Sequence, residues 1–259
     1  MRVATIQMEM ADRSKAENLA QADRMLDRVR GADLVLMPEI WNIGYFSFNR
    51  YHEDSEDLHG ETSSRMSRWA KELGAYLFAG SLVEREGANY YNTALFFGPD
   101  GNRLGTYRKI HLYGYGSQES RMLTRGRDPV VVETPLGKFG ITTCYDLRFP
   151  ELYRKLMIGG AQMFLVASAW PFPRLEHWIM FNRIRAIENV AFLVSSNCVG
   201  KNAGAHFCGH SMIIDPWGVV VAGAGDEESV VWAEVDLNKV AEVRETFPAL
   251  QDIAFPFAP

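Results

Sequence analysis

Cysteine is scarce in this 259-residue chain: Cys144, Cys198 and Cys208 are the only three. A low, odd count excludes a disulfide framework. It suits a reducing compartment, and the expected location is the cytoplasm. No run of Lys or Arg stands out, and the formal net charge is −5. The basic footprint of a nucleic-acid or anionic-membrane binder is therefore missing. No apolar stretch reaches the ~18 residues that a membrane-spanning helix needs. The opening MRVATIQMEM runs straight into an alternating strand, so no secretory leader is expected. Internal repeats, low-complexity tracts and linkers are missing too.

What is present is the material of an ordinary globular protein, with 47% hydrophobic and 23% charged residues, enough apolar residues for a large core. Strand patterns fall at 3–8, 34–37, 76–81, 163–168, 191–196, 209–215, 219–222 and 230–235. Two hairpins are expected, 92–97 with 103–108 around GPDGN and 130–134 with 138–143 around PLGK, because the turn residues sit between alternating runs. Helix patterns cover 14–30, 63–73, 150–159, 174–189 and 237–246. Ser14 and Glu17 form a capping-box pair, and Gly31 and Gly74 are placed as stops. Strands alternate with helices at both ends and hairpins fill the middle. This predicts an α/β fold of mixed sheets covered by helices, one domain over residues 1–259 with an irregular tail from about residue 247.

Three strand ends deliver reactive groups. Glu39 follows LVLMP, Lys109 follows the strand in GTYRKIHLYG, and Cys144 follows FGITT. Open α/β sheets bind ligands at the carboxyl ends of their strands, so groups far apart in sequence can meet at one rim. A thiol with a pKa of ~8.5 is mostly protonated at neutral pH. A neighbouring carboxylate can take its proton as sulfur attacks a carbonyl carbon. A lysine beside the carbonyl oxygen stabilises the charge that grows there. The backbone N–H of Tyr145, at a turn into a helix, is a second candidate donor. Taken singly, each residue also has an ordinary reading: a buried small hydrophobe, a solvated loop acid, a solubilising lysine.

Together, PE before WNIGY, then YRKIHLYG and CYDLRFPE, resemble the nitrilase superfamily of carbon–nitrogen hydrolases. The resemblance extends over nearly the whole chain, including RAIENVAFLVSSNCVG at 185–200 and GHSMIIDPWG at 209–218. It implies a four-layer α-β-β-α sandwich of two mixed sheets and a homodimer or higher homo-oligomer. It implies Glu39 as general base, Lys109 as stabiliser of the tetrahedral intermediate and Cys144 as nucleophile, working through a thioester without cofactor or metal. It also implies a second glutamate, Glu119, in GSQESRMLTRG. Tyr45, Tyr145, Arg148, Trp170 and Arg174 resemble the substrate pocket of the omega-amidase branch, which takes small carboxylate-bearing amides such as 2-oxoglutaramate or 2-oxosuccinamate. The same triad serves nitrilases and N-carbamyl amino acid amidohydrolases.

Other readings remain open at this point. A papain-like thiol hydrolase needs a histidine base, for which His111, His177, His206 and His210 are candidates. HFCGH at 206–210, with Cys198 upstream, offers ligand types that zinc favours, on one face if the segment is a strand. A scaffold protein that has lost its chemistry is the third.

Overall fold

The computed structural model describes residues 1–254; the tail expectation for 255–259 lies outside the described residues. The chain opens with β1 (Arg2–Met10), α1 (Lys15–Asp27), β2 (Leu34–Leu36), α2 (Tyr51–Asp54) and α3 (Glu61–Leu73). A meander follows, β3 (Tyr76–Glu86), β4 (Asn89–Phe97) and β5 (Arg103–Arg108), then the short α4 (Glu119–Met122). Next come β6 (Val130–Thr134), β7 (Gly137–Thr143), α5 (Pro150–Ile158), β8 (Met163–Ala167), α6 (Leu175–Asn189) and β9 (Phe192–Ser196). The last elements are β10 (Cys198–Asn202), β11 (Ala205–His206), β12 (Met212–Ile214), β13 (Val220–Gly223), β14 (Ser229–Glu234) and α7 (Asn238–Thr246).

The strands form two mixed sheets. One has eight strands in the order β11-β10-β1-β2-β3-β4-β5, with β14 also paired to β1. The other has six, in the order β13-β12-β9-β8-β7-β6. Side-chain alternation along each strand sorts the apolar residues into layers. From β1 and β2, Val3, Leu34 and Leu36 face the space between the sheets, where they meet Phe139, Ile141, Met163, Leu165 and Val194. Their neighbours Ala4, Ile6 and Val35 point the other way, onto Leu19, Leu26 and Met66 of α1 and α3. Phe164, Val166 and Leu193 turn away from the inter-sheet core and pack with Leu152, Leu156 and Trp178 of α5 and α6. The result is the expected α-β-β-α order.

Several boundaries differ from the sequence reading. The β3 strand runs on to Glu86 instead of stopping at Ser81, because β4 pairs with it back to Asn89. The α1 helix ends at Asp27, short of Gly31, although Ser14 and Glu17 do form the capping box. Only Met212–Ile214 of the expected strand 209–215 is a strand, since His210 has φ 54°. Among the described residues the tail contains one 3₁₀ turn, Ala249–Asp252.

Candidate active site

The carboxyl ends of β2, β5, β7 and β8 converge on one rim. After β2 the chain passes Pro38, and Glu39 N–H donates to the Ser168 carbonyl at 3.3 Å. Ile40 then takes φ 42°, a left-handed conformation that a β-branched residue adopts only under constraint. Its N–H is held by Ser81 Oγ at 3.2 Å. Gly80 is needed beside this turn: at φ 67°, a Cβ there would sit 1.9 Å from the Pro38 carbonyl oxygen. The strand–turn unit that carries Glu39 is thus clamped between β3 and β8.

Cys144 follows β7 directly and takes φ 47°, another non-glycine residue in the left-handed region. Asp146 anchors the elbow around it. Its Oδ2 accepts from Thr143 N–H at 3.0 Å and from Tyr107 Oη at 2.7 Å, while Oδ1 accepts from His111 N–H at 3.1 Å. The His111 ring contacts Asp146 Oδ1 through Nδ1 at 2.8 Å and stacks on Phe149 at 3.7 Å between centroids. His111 therefore braces the elbow. Among the hydrogen bonds of the described residues, none joins a histidine ring to Cys144.

Glu39, Lys109 and Glu119 meet with all three side chains fully buried. Lys109 Nζ donates to Glu39 Oε1 at 2.8 Å and to both oxygens of Glu119 at 3.0 Å. Asn92 Nδ2 donates to Oε1 of each glutamate at 2.8 Å. Glu39 Oε2 accepts from Ala169 N–H at 3.0 Å. Glu119 Oε2 accepts from Tyr113 N–H at 2.7 Å and Tyr45 Oη at 3.1 Å. The acid of GSQES is thus a buried group and not a surface loop residue.

Burial raises the Glu39 carboxyl above its ordinary value; Lys109 opposes the shift and Glu119 adds to it. Burial alone would depress the Lys109 ammonium, but Glu119 and Glu39 more than offset it and keep lysine charged. The Cys144 thiol is pushed up by burial and then by the Glu39 charge, with Lys109 opposing. The arrangement at rest is a protonated thiol beside a carboxylate of raised basicity, with a fixed cation next to both.

A cleft opens over Cys144, lined also by Tyr45, Phe46, Tyr113, Tyr145, Arg148, Trp170 and Arg174. All five pocket residues expected from the sequence thus border it. The Arg148 guanidinium lies over the rings of Trp170 at 4.9 Å, Phe181 at 5.2 Å and Tyr145 at 5.7 Å. Its Nη2 is 3.3 Å from His177 Nδ1. Arg174 lies 5.7 Å from the Tyr113 ring, and its carbonyl accepts from Trp170 Nε1 at 2.9 Å. Among the described residues no carboxylate pairs with either arginine.

Sequence reasoning missed Asn92, Tyr113 and Phe46. Tyr113 stands within the quoted KIHLYG and Phe46 follows Tyr45, so position beside a motif was the available signal. The HFCGH segment does not form the single strand face imagined for it. Exposed His206 ends β11, Cys208 is buried against Asn197 Nδ2 at 3.4 Å, and His210 turns back to bond the Cys208 carbonyl at 2.7 Å. Among the described residues no three His, Cys, Asp or Glu side chains gather as a metal site.

A mixed two-sheet sandwich with a carboxylate, an ammonium and a thiol at one rim has the make-up of a carbon–nitrogen hydrolase. The chain belongs to the carbon-nitrogen hydrolase family, whose sequence profile matches residues 2–245. It is 36% identical over 252 residues to a 2-oxoglutaramate amidase of Bacillus subtilis, covering 97% of this chain and 96% of that protein. It is also 36% identical to an omega-amidase of Danio rerio, covering 95% and 92%. Among solved structures, a CN-hydrolase superfamily protein from Xanthomonas campestris superposes with a TM-score of 0.92. That pair is 30% identical and covers 99% and 98% of the two chains.

Proposed function

We propose that the chain is an omega-amidase, hydrolysing a small 2-oxo-dicarboxylate monoamide such as 2-oxoglutaramate to the diacid and ammonia. The observation that carries this reading is the cleft over Cys144 with Arg148 and Arg174 on its wall, neither paired to a carboxylate among the described residues. A partly buried guanidinium favours an anionic partner, and its planar fork fits a carboxylate in two-pronged fashion. The relatives named as amidases of this class support the substrate assignment.

In the proposed reaction Cys144 Sγ attacks the amide carbon and its proton passes to Glu39. The carbonyl π pair moves onto oxygen, and the Lys109 ammonium stabilises the oxyanion more than the ground-state amide. Collapse breaks the C–N bond, Glu39 returns the proton to nitrogen, and ammonia leaves a thioester on Cys144. Water then attacks the thioester with Glu39 again taking the proton, and the acid is released as the thiol re-forms. Glu119 balances the lysine charge and orients the amide or the water. Aromatic walls from Tyr45, Tyr145 and Trp170 limit the length of the acyl chain.

The expected homodimer is supported by Met180, Ile184 and Ile187, apolar residues exposed along α6 at helical spacing. Light scattering at micromolar concentration tests it. The cytoplasmic expectation rests on the three free thiols, and the one-domain reading on the shared inter-sheet core. The decisive experiment for function is a substrate panel: 2-oxoglutaramate, 2-oxosuccinamate, neutral aliphatic amides, N-carbamyl amino acids and nitriles. Preference for a neutral amide or a nitrile over the first two would sink the omega-amidase reading.

A further inference from the structure

Asn92 lies inside β4, fully buried, with no place in the triad. Its amide nitrogen nonetheless bonds both site carboxylates, at 2.8 Å each, on the same Oε1 atoms that Lys109 Nζ contacts. Asn92 and Lys109 thus close a four-membered ring of hydrogen bonds around the two Oε1 atoms. Its backbone takes part as well, since the Asn92 carbonyl accepts from Lys109 N–H at 2.8 Å. Asn92 Oδ1, in contrast, finds no hydrogen-bond partner among the described residues. An orphaned buried carbonyl destabilises a fold. The structure tolerates it while both amide protons face the carboxylates, an arrangement that favours the site over the core.

From this geometry we propose that Asn92 is a positioning residue for the reaction: it fixes Glu39 and Glu119 against each other so that Glu39 stays beside Cys144. Two buried carboxylates repel, and Lys109 can rotate about a flexible stem. A second, neutral donor on a rigid strand removes that freedom without adding charge. It also favours ionised Glu39, because a hydrogen bond to the charged form stabilises it. Serine or alanine at 92 leaves Glu39 loose, and aspartate there adds a third negative charge. The inference rests on the Glu39–Lys109–Cys144 reading, and the experiment separates the two.

The test measures turnover of 2-oxoglutaramate and the rate of Cys144 alkylation by iodoacetamide, each against pH. The proteins are wild type, Asn92→Ala, Asn92→Asp, Glu39→Gln, Glu39→Gln/Asn92→Ala and, for turnover alone, Cys144→Ala. A misplacement of about 1 Å costs about 10²-fold, so Asn92→Ala is expected to lose about that much in kcat with little change in KM. Its acid limb should move to higher pH, and Asn92→Asp, which keeps the side-chain volume, should move it further. In the Glu39→Gln background the alanine substitution should change the alkylation rate less than about threefold, because the group it acts through is already gone. An unshifted limb in Asn92→Asp, or an undiminished effect in the Glu39→Gln background, overturns the positioning role. Full turnover by Cys144→Ala would instead overturn the triad reading itself, whatever Asn92 does.

Discussion

Lys109 Nζ lies 2.8 Å from Glu39 Oε1, a contact between fully buried side chains 70 residues apart in sequence. The pair spans two strand ends of the larger sheet, after β2 and after β5. Its lysine also holds Glu119, so one cation serves two carboxylates. Such a cluster stabilises only while complete. Removing one partner leaves charge buried without compensation, which costs about 3–5 kcal/mol. Lys109→Met should therefore abolish activity and also lower stability by about that amount in chemical denaturation. The double variant Lys109→Met/Glu119→Gln, with one charge of each sign removed, should recover part of the stability and none of the turnover. A Lys109→Met protein as stable as wild type would contradict the buried ion-pair account.

Cys144 offers a backbone test. At φ 47° its Cβ is strained, as it is for any residue but glycine. Both Cys144→Ala and Cys144→Gly lose the thiol and should form no acyl-enzyme, as read by mass spectrometry. They differ only in the Cβ. Glycine is usually less stable than alanine, but here the order should reverse by about 1 kcal/mol. Thermal melts of the two variants decide this, and alanine being the more stable would show that the elbow stores no strain.

The pH profile follows from Glu39. Its carboxyl is raised above the ordinary value of 4.5 by burial first, then by Glu119, against the pull of Lys109. A general base works only when ionised, so with Glu39 in the proposed role kcat/KM falls as pH drops through the raised value. The acid limb should have its midpoint above 4.5. Glu119→Gln removes a like charge and leaves Lys109 to act on Glu39 alone, so the limb should move to lower pH. This is opposite in sign to the shift expected for Asn92→Ala. A limb that rises in Glu119→Gln would mean that the group being titrated is not Glu39.

Sequence carried the reactive groups and lost their supports, for a physical reason. Glu39 and Cys144 each follow a largely apolar run, and Lys109 follows the second strand of a hairpin, so each stands out at the end of a strand. Asn92 is inside the YNTALFF strand, where a polar residue alternating with apolar ones reads as a solvent-facing position. Only the closing of β4 over the site reveals that it faces two carboxylates. None of the strand patterns read from the sequence covers β10, with its Gly200, Lys201 and Asn202. It is a strand because the far end of β1 supplies parallel partners from Met8 to Met10. The layers were legible because the apolar periods of strands and helices are local properties. The hydrogen bonds that finish a site are long-range and leave no period behind.

The last prediction concerns the far end of the substrate. Arg148 follows Cys144 by four residues and lines the same cleft. Asp146, its nearest acid in sequence, is already engaged by Tyr107, His111 and Thr143, so it does not neutralise Arg148. The guanidinium instead rests on Trp170, Phe181 and Tyr145, which fix its plane and leave its edge to a ligand. A charge-assisted hydrogen bond to a carboxylate is worth about 2–3 kcal/mol, so Arg148→Ala should lower kcat/KM for 2-oxoglutaramate by roughly 30- to 150-fold. For a neutral amide of similar length the loss should be far smaller, since that substrate never paired with the arginine. Arg148→Lys keeps the charge without the fork or the stacking and should restore only part of the rate. Arg174→Ala on the same two substrates shows whether the second guanidinium shares the carboxylate. The ratio of the two kcat/KM values is the measurement that matters, because a purely structural arginine depresses both alike. Equal losses would remove the support for an anionic substrate and leave an amidase whose pocket is set by its aromatic walls alone.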